Sequence, residues 1–154
     1  MNAVVRLYDR FTPLAALADH LQPLLLLALR VFIAWVFIQS GLTKINDWDT
    51  MLYLFTEDYS VPLLPPAVAA VMGTLGELAL PPLLVFGLAG RFAAAGLFVV
   101  NAMAVLSYPA LWGFDCPAAI QSHFWWGAGL LLLVAFGPGA LSADRLIARR
   151  RAKD

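Results

Sequence analysis

The sequence predicts an all-α, polytopic membrane protein, a four-helix bundle with short interfacial helices and both termini in the cytoplasm. Three observations predict it. Hydrophobic residues make up 62% of the 154 residues and charged residues only 13%, against roughly 45–50% and about 25% in soluble domains. Four apolar segments each approach the ~20 residues needed to cross a hydrocarbon core about 30 Å thick. Eight of the ten lysines and arginines, finally, fall on one side of those four crossings.

The spans are expected at about 21–44, 65–88, 91–111 and 123–141, within one domain covering 21–141. Residues 1–20 form a cytoplasmic or interfacial segment, and 142–154 a basic cytoplasmic tail. The first apolar run is too long for a cleaved signal and reads as an anchor. Pro65 and Pro66 suit the first turn of the second helix, where a missing N–H costs nothing. Gly87, Gly90 and Arg91 mark a tight hairpin between the second and third helices, and Gly137-Pro138-Gly139 ends the fourth. In the loop after the first span, Trp48, Met51, Leu52, Phe55 and Tyr59 recur at helical spacing and should pack on the mouth of the bundle. "VVRLYDRFTPLAAL" and "LSADRLIARRRAKD" read as interfacial pieces, the latter with Ser142 as N-cap.

Orientation follows from charge. Arg6, Arg10, Arg91, Arg145, Arg149, Arg150, Arg151 and Lys153 share one side of a four-span chain, while Asp47, Asp49, Glu57, Asp58 and Asp115 share the other. The positive-inside rule puts the basic side in the cytoplasm of a multi-pass inner-membrane protein. The formal net charge is zero, which argues against a nucleic-acid partner; the partners expected are the lipid bilayer and a protein partner or second copy.

Arg30, Glu77 and Asn101 stand inside the first three spans. At a rise of ~1.5 Å per residue they lie roughly 13, 16 and 15 Å from the inner ends. A lone charge at mid-bilayer costs at least about 2.5–3.5 kcal/mol, so the three are expected to meet as one buried polar cluster or ligand pocket. Arg30, Ala34, Phe37, Gly41 and Lys44 form one helical stripe facing it, and Gly41 lets another backbone approach. Pro81 and Pro82 would loosen the second helix and free carbonyls for Arg30. The cluster reads either as a lock on helix register or as a site for a quinone headgroup or small substrate.

On the outer face, Cys116 and His123 are weak metal candidates. A thiolate there could take Cu(I), and His123 could hydrogen-bond a quinone carbonyl. One cysteine and two histidines leave no dense metal cluster and no haem-ligating or Fe–S pattern. The chain holds no self-contained catalytic motif and is at most a membrane subunit of an oxidoreductase.

"LRVFIAWVFIQSGLTKI" resembles the first-helix signature of DoxX proteins, with its Arg, the Ser40-Gly41 pair and Lys44. "GTLGELALPPLLVFGLAGR" resembles their second-helix signature, and "YSVP" stands where many members have Tyr-Gly-x-Pro, with Ser60 in place of the glycine. The resemblance covers roughly Leu24 to Leu141. It implies a four-helix inner-membrane protein similar to the membrane subunit of thiosulfate:quinone oxidoreductases. The fuller pattern is similar to a branch encoded beside copper-responsive ribosomal peptide systems. Three functions follow as expectations: a redox-linked, quinone-interacting subunit; a non-enzymatic component of copper homeostasis or copper-binding-peptide handling; and a structural assembly subunit.

Overall fold

A computed structural model describes residues 3–113 and 118–154 of the chain. Six α-helices carry the fold: α1 (Ala3–Asn46), α2 (Trp48–Glu57), α3 (Pro66–Phe86), α4 (Gly90–Ser107), α5 (Ala118–Phe136) and α6 (Ala143–Arg151), with a 3-10 turn at Pro109–Leu111. Among the described residues there is no strand. Four helices are long and apolar enough to cross a membrane: α1 from Arg10 onward, α3, α4 and α5. Helix α1 packs on α3, α3 on α4, α4 on α5, and α5 closes back on α1. Their common core is Ile33, Phe37, Leu84, Ala93, Ala94, Leu97, Leu130 and Leu133. Phe32, Trp35, Leu75, Phe86, Phe92, Trp125 and Phe136 point outward, as side chains solvated by lipid would.

Helix boundaries differ from the expected spans for local reasons. The segment expected to lie apart at 1–20 continues into the first span without a break. At 44 residues α1 is about 66 Å long, some twice the hydrocarbon thickness. Pro13 and Pro23 lie inside it, and no glycine interrupts the Ala- and Leu-rich run between them. Helix α4 stops at Ser107 because Pro109 pushes Tyr108 out of the helical region, to φ −112° and ψ 91°. Helix α5 begins before the expected start and ends at Phe136, where Gly137 turns left-handed at φ 81°. His123 therefore sits more than a turn inside α5 instead of opening it.

Charges fasten the basic end. Helix α3 closes on Gly87 at φ 63°, whose N–H donates to the carbonyls of Leu83 and Leu84. Asp144, in the first turn of α6, accepts from Ala89 N and Gly90 N, both at 2.8 Å, and Ser142 caps the same helix by accepting from Arg145 N. Arg91 Nη1 donates to the last carbonyls of α5, Val134 at 2.7 Å and Ala135 at 2.9 Å. A cation at a helix C-terminus satisfies orphan carbonyls and complements the helix dipole. At the acidic end, Asp47 caps α2 by accepting from Thr50 N. Phe55 then packs on Ala69 and Ala70 of α3, with Trp48, Met51, Tyr59 and Val61 around them, the seating expected for this loop.

Gly87 is doubly constrained. Its backbone is left-handed, and a Cβ there would stand 2.5 Å from Ser142 Cβ and 2.6 Å from Arg30 Nη1. Gly87→Ala should therefore cost at least about 1–2 kcal/mol from the backbone alone, and more from displacing Arg30. Gly73→Ala, in a helix interior with nothing within 4 Å of the new Cβ, should be neutral or stabilising by up to about 1 kcal/mol. Thermal unfolding of the detergent-solubilised protein checks both, with a fall in Tm expected for the first variant only.

Candidate functional site

Arg30 is fully buried, but it does not join Glu77 or Asn101. Its Nη1 donates to the carbonyls of Val85 at 2.9 Å and Leu84 at 3.4 Å, and its Nη2 to the carbonyl of Leu141. It thus caps the C-terminal turn of α3 and ties it to the α5–α6 connection. The expected three-residue cluster is corrected first by level along the bundle: Gly41 is the α1 residue against Glu77, and Arg30, eleven residues earlier, stands about 16 Å nearer the basic end. In a helix the Cα–Cβ bonds tilt toward the N-terminus, and α1 runs from the basic end to the acidic end. The Arg30 side chain accordingly reaches toward the basic end, away from Glu77. The α3 carbonyls it finds, those of Leu84 and Val85, belong to the last turn, where the helix ladder stops; Leu84 O also accepts from Gly87 N, and neither carbonyl is one freed by Pro81 or Pro82.

The same tilt brings Lys44 back toward Glu77. Lys44 Nζ donates to Glu77 Oε2 at 2.6 Å, to Oε1 at 2.8 Å and to Ser40 Oγ at 2.8 Å. Ser40 Oγ also donates to Glu77 Oε1 at 3.3 Å. The lysine and glutamate side chains are only 12% and 9% exposed. Gly41 permits this approach: a Cβ there would meet the Leu78 side chain at 2.7 Å and Glu77 Cβ at 3.2 Å, so a larger residue would displace Leu78 and crowd the ion pair.

Asn101 meets His123. Asn101 Nδ2 donates to the carbonyl of His123 at 2.9 Å, and its Oδ1 lies 2.9 Å from His123 Nδ1. A carbonyl can only accept, which fixes the amide orientation. Nδ1 must then be the donor to Oδ1, leaving Nε2 as the ring's acceptor when the imidazole is neutral. Gly127 makes room for this contact, since a Cβ there would stand 3.2 Å from Asn101 Nδ2. The His123 ring also meets Trp126 edge to face, centroids 4.9 Å apart.

These two pairs face one cavity of about 150 Å³ at the acidic end. Lys44, Glu77 and Ser40 supply one polar side, Asn101 and His123 another, and Tyr59 and Tyr108 the third; Phe37, Val100, Ala104 and Trp126 are among the apolar lining residues. Tyr59 comes from the connection after α2 and is stacked between Phe55 and Tyr108, with centroids 4.6 and 4.8 Å apart. Burial, followed by the fields of Tyr108, Glu77 and Asp58, pushes the Tyr59 hydroxyl above its ordinary range, so it remains protonated at neutral pH. Ser60 N donates to the carbonyl of Ser107 at 2.7 Å and pins this connection to the end of α4.

Of the residues singled out from sequence, Glu77, Asn101, Lys44 and His123 line the cavity, Gly41 lies behind it, and Arg30 stands apart. Cys116 and Asp115 lie outside the described residues. Ser40, Tyr59, Tyr108 and Trp126 were not expected in the site. The Ser40–Lys44 spacing of one helical turn could have indicated the first, but no local pattern indicates the tyrosines. Among the described residues, no three His, Cys, Asp or Glu side chains gather as a metal-binding group.

Fold and site together define a multi-pass membrane protein with a small cavity of mixed polar and apolar lining between its four spans. The DoxX family model matches residues 25–110. The chain is also similar to an uncharacterized protein of Haemophilus influenzae, 34% identical over 125 residues, which cover 79% of this chain and 82% of that one. This chain belongs to the DoxX family. No solved structure matches it.

Removing one member of a buried ion pair leaves the other charge uncompensated, at a cost of about 3–5 kcal/mol. Glu77→Gln and Lys44→Met should each lower stability strongly, whereas the double variant should recover part of the loss. A double-mutant cycle on unfolding in detergent checks this, with a coupling of at least about 1 kcal/mol expected.

Proposed function

We propose that the protein is a redox-linked, quinone-interacting membrane subunit whose cavity at the acidic end holds a quinone headgroup. The observation that carries this reading is the cavity's size and its apolar lining with a few polar groups at its sides. A volume near 150 Å³ is enough for one six-membered ring, as shown by benzene in an engineered cavity of that size. The lining calls for a neutral guest, because Lys44 and Glu77 offset each other and the three ammonium hydrogens are already engaged by Glu77 and Ser40. The protonated Tyr59 hydroxyl offers a donor to a quinone oxygen, and His123 Nε2 an acceptor to a quinol hydroxyl. Phe37 and Trp126 supply apolar surface for the ring. A bound quinone would accept electrons and protons delivered by a partner protein; the chain's own residues hold and orient the ring. Arg91 and the arginines of α6 stand at the opposite end, and Arg10 lies beyond it on α1, which supports placing that end in the cytoplasm and the cavity toward the outer face of the inner membrane.

The structural-subunit reading has its own support in the Arg30 cap and the Lys44–Glu77 lock, which would be needed even around an empty cavity. The two readings separate on ligand binding. Ala104→Leu fills the cavity with apolar atoms and spares every polar partner. Purified wild-type protein should quench its tryptophan fluorescence on addition of a short-chain ubiquinone, and Trp126→Phe should reduce that quench. Ala104→Leu should weaken binding at least tenfold while Tm stays within a few degrees. Equal binding by wild type and Ala104→Leu, or none by wild type, would remove the quinone site and leave the structural reading.

A further inference from the structure

A second site lies at the basic end, away from the cavity. Helix α5 ends at Phe136, and the chain turns through Gly137–Ala140 into α6. A groove of about 410 Å³ opens there, lined by Arg91, Phe136, Ser142 and Arg145 among others. Its charge is unbalanced. Asp144, the acid in the groove, has both oxygens engaged by Ala89 N and Gly90 N. Arg91 uses Nη1 on the carbonyls of Val134 and Ala135, so its positive charge meets no carboxylate. The Arg145 side chain has no hydrogen bond or ion pair among the described residues. Farther along α6, Arg149, Arg150 and Arg151 add to the same field.

The groove is also partly apolar. Phe136, 69% exposed, lines it directly and belongs to the last turn of a span, at the level where hydrocarbon gives way to headgroups. Helix α6 is fastened through its first turn, by the Ser142 cap and Asp144. Beyond that turn a wider groove of about 670 Å³ separates it from the α3–α4 connection, with Leu88, Ile147 and Arg151 on its walls. Leu146 and Ile147 remain exposed beside the arginines.

We infer that this end of the bundle binds an anionic phospholipid, its phosphate between Arg91 and Arg145 and its acyl chains running down past Phe136. Two guanidiniums recognise a phosphate by charge-assisted hydrogen bonds, and basic clusters at a membrane surface draw anionic lipids. The neighbouring phenyl ring at the end of a span favours a lipid over a soluble anion. The bound lipid would brace α6 against α5, which it otherwise touches little.

The test uses delipidated full-length protein in a neutral detergent, with Tm followed as phosphatidylglycerol, phosphatidylcholine or inorganic phosphate is added. Phosphatidylglycerol should raise Tm by several degrees, and the other two should not. Arg145→Gln should lose at least half of that rise, while Arg150→Gln, outside the groove, should keep most of it. Native mass spectrometry of the wild type supplies a readout independent of variant folding: one phosphatidylglycerol should be retained in preference to phosphatidylcholine. An equal rise with phosphatidylcholine, an equal rise with inorganic phosphate, no lipid preference in the mass spectrum, or an unchanged response in Arg145→Gln would each overturn the site.

Discussion

Lys44 and Glu77 bury opposite charges between two apolar helices, and in hydrocarbon neither could remain ionised without the other. Their contact sets how closely α1 and α3 approach. Gly41 is small because of it, Ser40 is polar because of it, and the cavity's electroneutrality follows from it. A buried pair of this kind contributes less to net stability than to uniqueness, since two apolar residues could fill the same space. Sliding either helix by one turn would strand both charges in lipid. The pair therefore fixes register.

Arg30 works at the opposite end of the bundle by different physics. It has no carboxylate partner; its partners are the terminal carbonyls of α3 and the carbonyl of Leu141. Arg91 does the same for α5. Two helix C-termini that end near one membrane face are thus closed by arginines from neighbouring elements. The basic residues there serve structure as well as orientation, which leaves Arg145 and the outer arginines of α6 as those with no internal duty.

The four spans, the α3–α4 hairpin at Gly87 and the Ser142 cap were all legible in the sequence, because length, hydropathy and turn residues are local signals. The seating of α2 through Phe55 was legible from helical spacing. The pairing of the polar residues was not. Counting Cα rise placed Arg30, Glu77 and Asn101 at one depth because it set the inner end of the first span near residue 21, whereas α1 runs unbroken from Ala3 and Arg30 stands level with the last turn of α3. Gly41 is the α1 residue beside Glu77, so Lys44, three residues farther on and tilted back, meets the carboxylate, and Arg30 does not. His123 was misplaced for another reason: α5 starts upstream of the span's expected first residue, 123, so the histidine lies inside the helix and meets Asn101. Tyr59 and Tyr108 enter the cavity from connections, where no periodicity reports which way a ring will turn.

The division of the buried charges can be read directly in a bilayer. Solid-state NMR with ¹⁵N in the lysine and arginine side chains and ¹³C in the Glu77 carboxyl measures which cation lies against that carboxylate. The structure predicts strong dephasing of the Glu77 carboxyl by Lys44 Nζ, from an N···O contact of 2.6 Å, lost in Lys44→Met and unaffected by the arginine label. Strong dephasing by the Arg30 guanidinium, with none from Lys44, would contradict it.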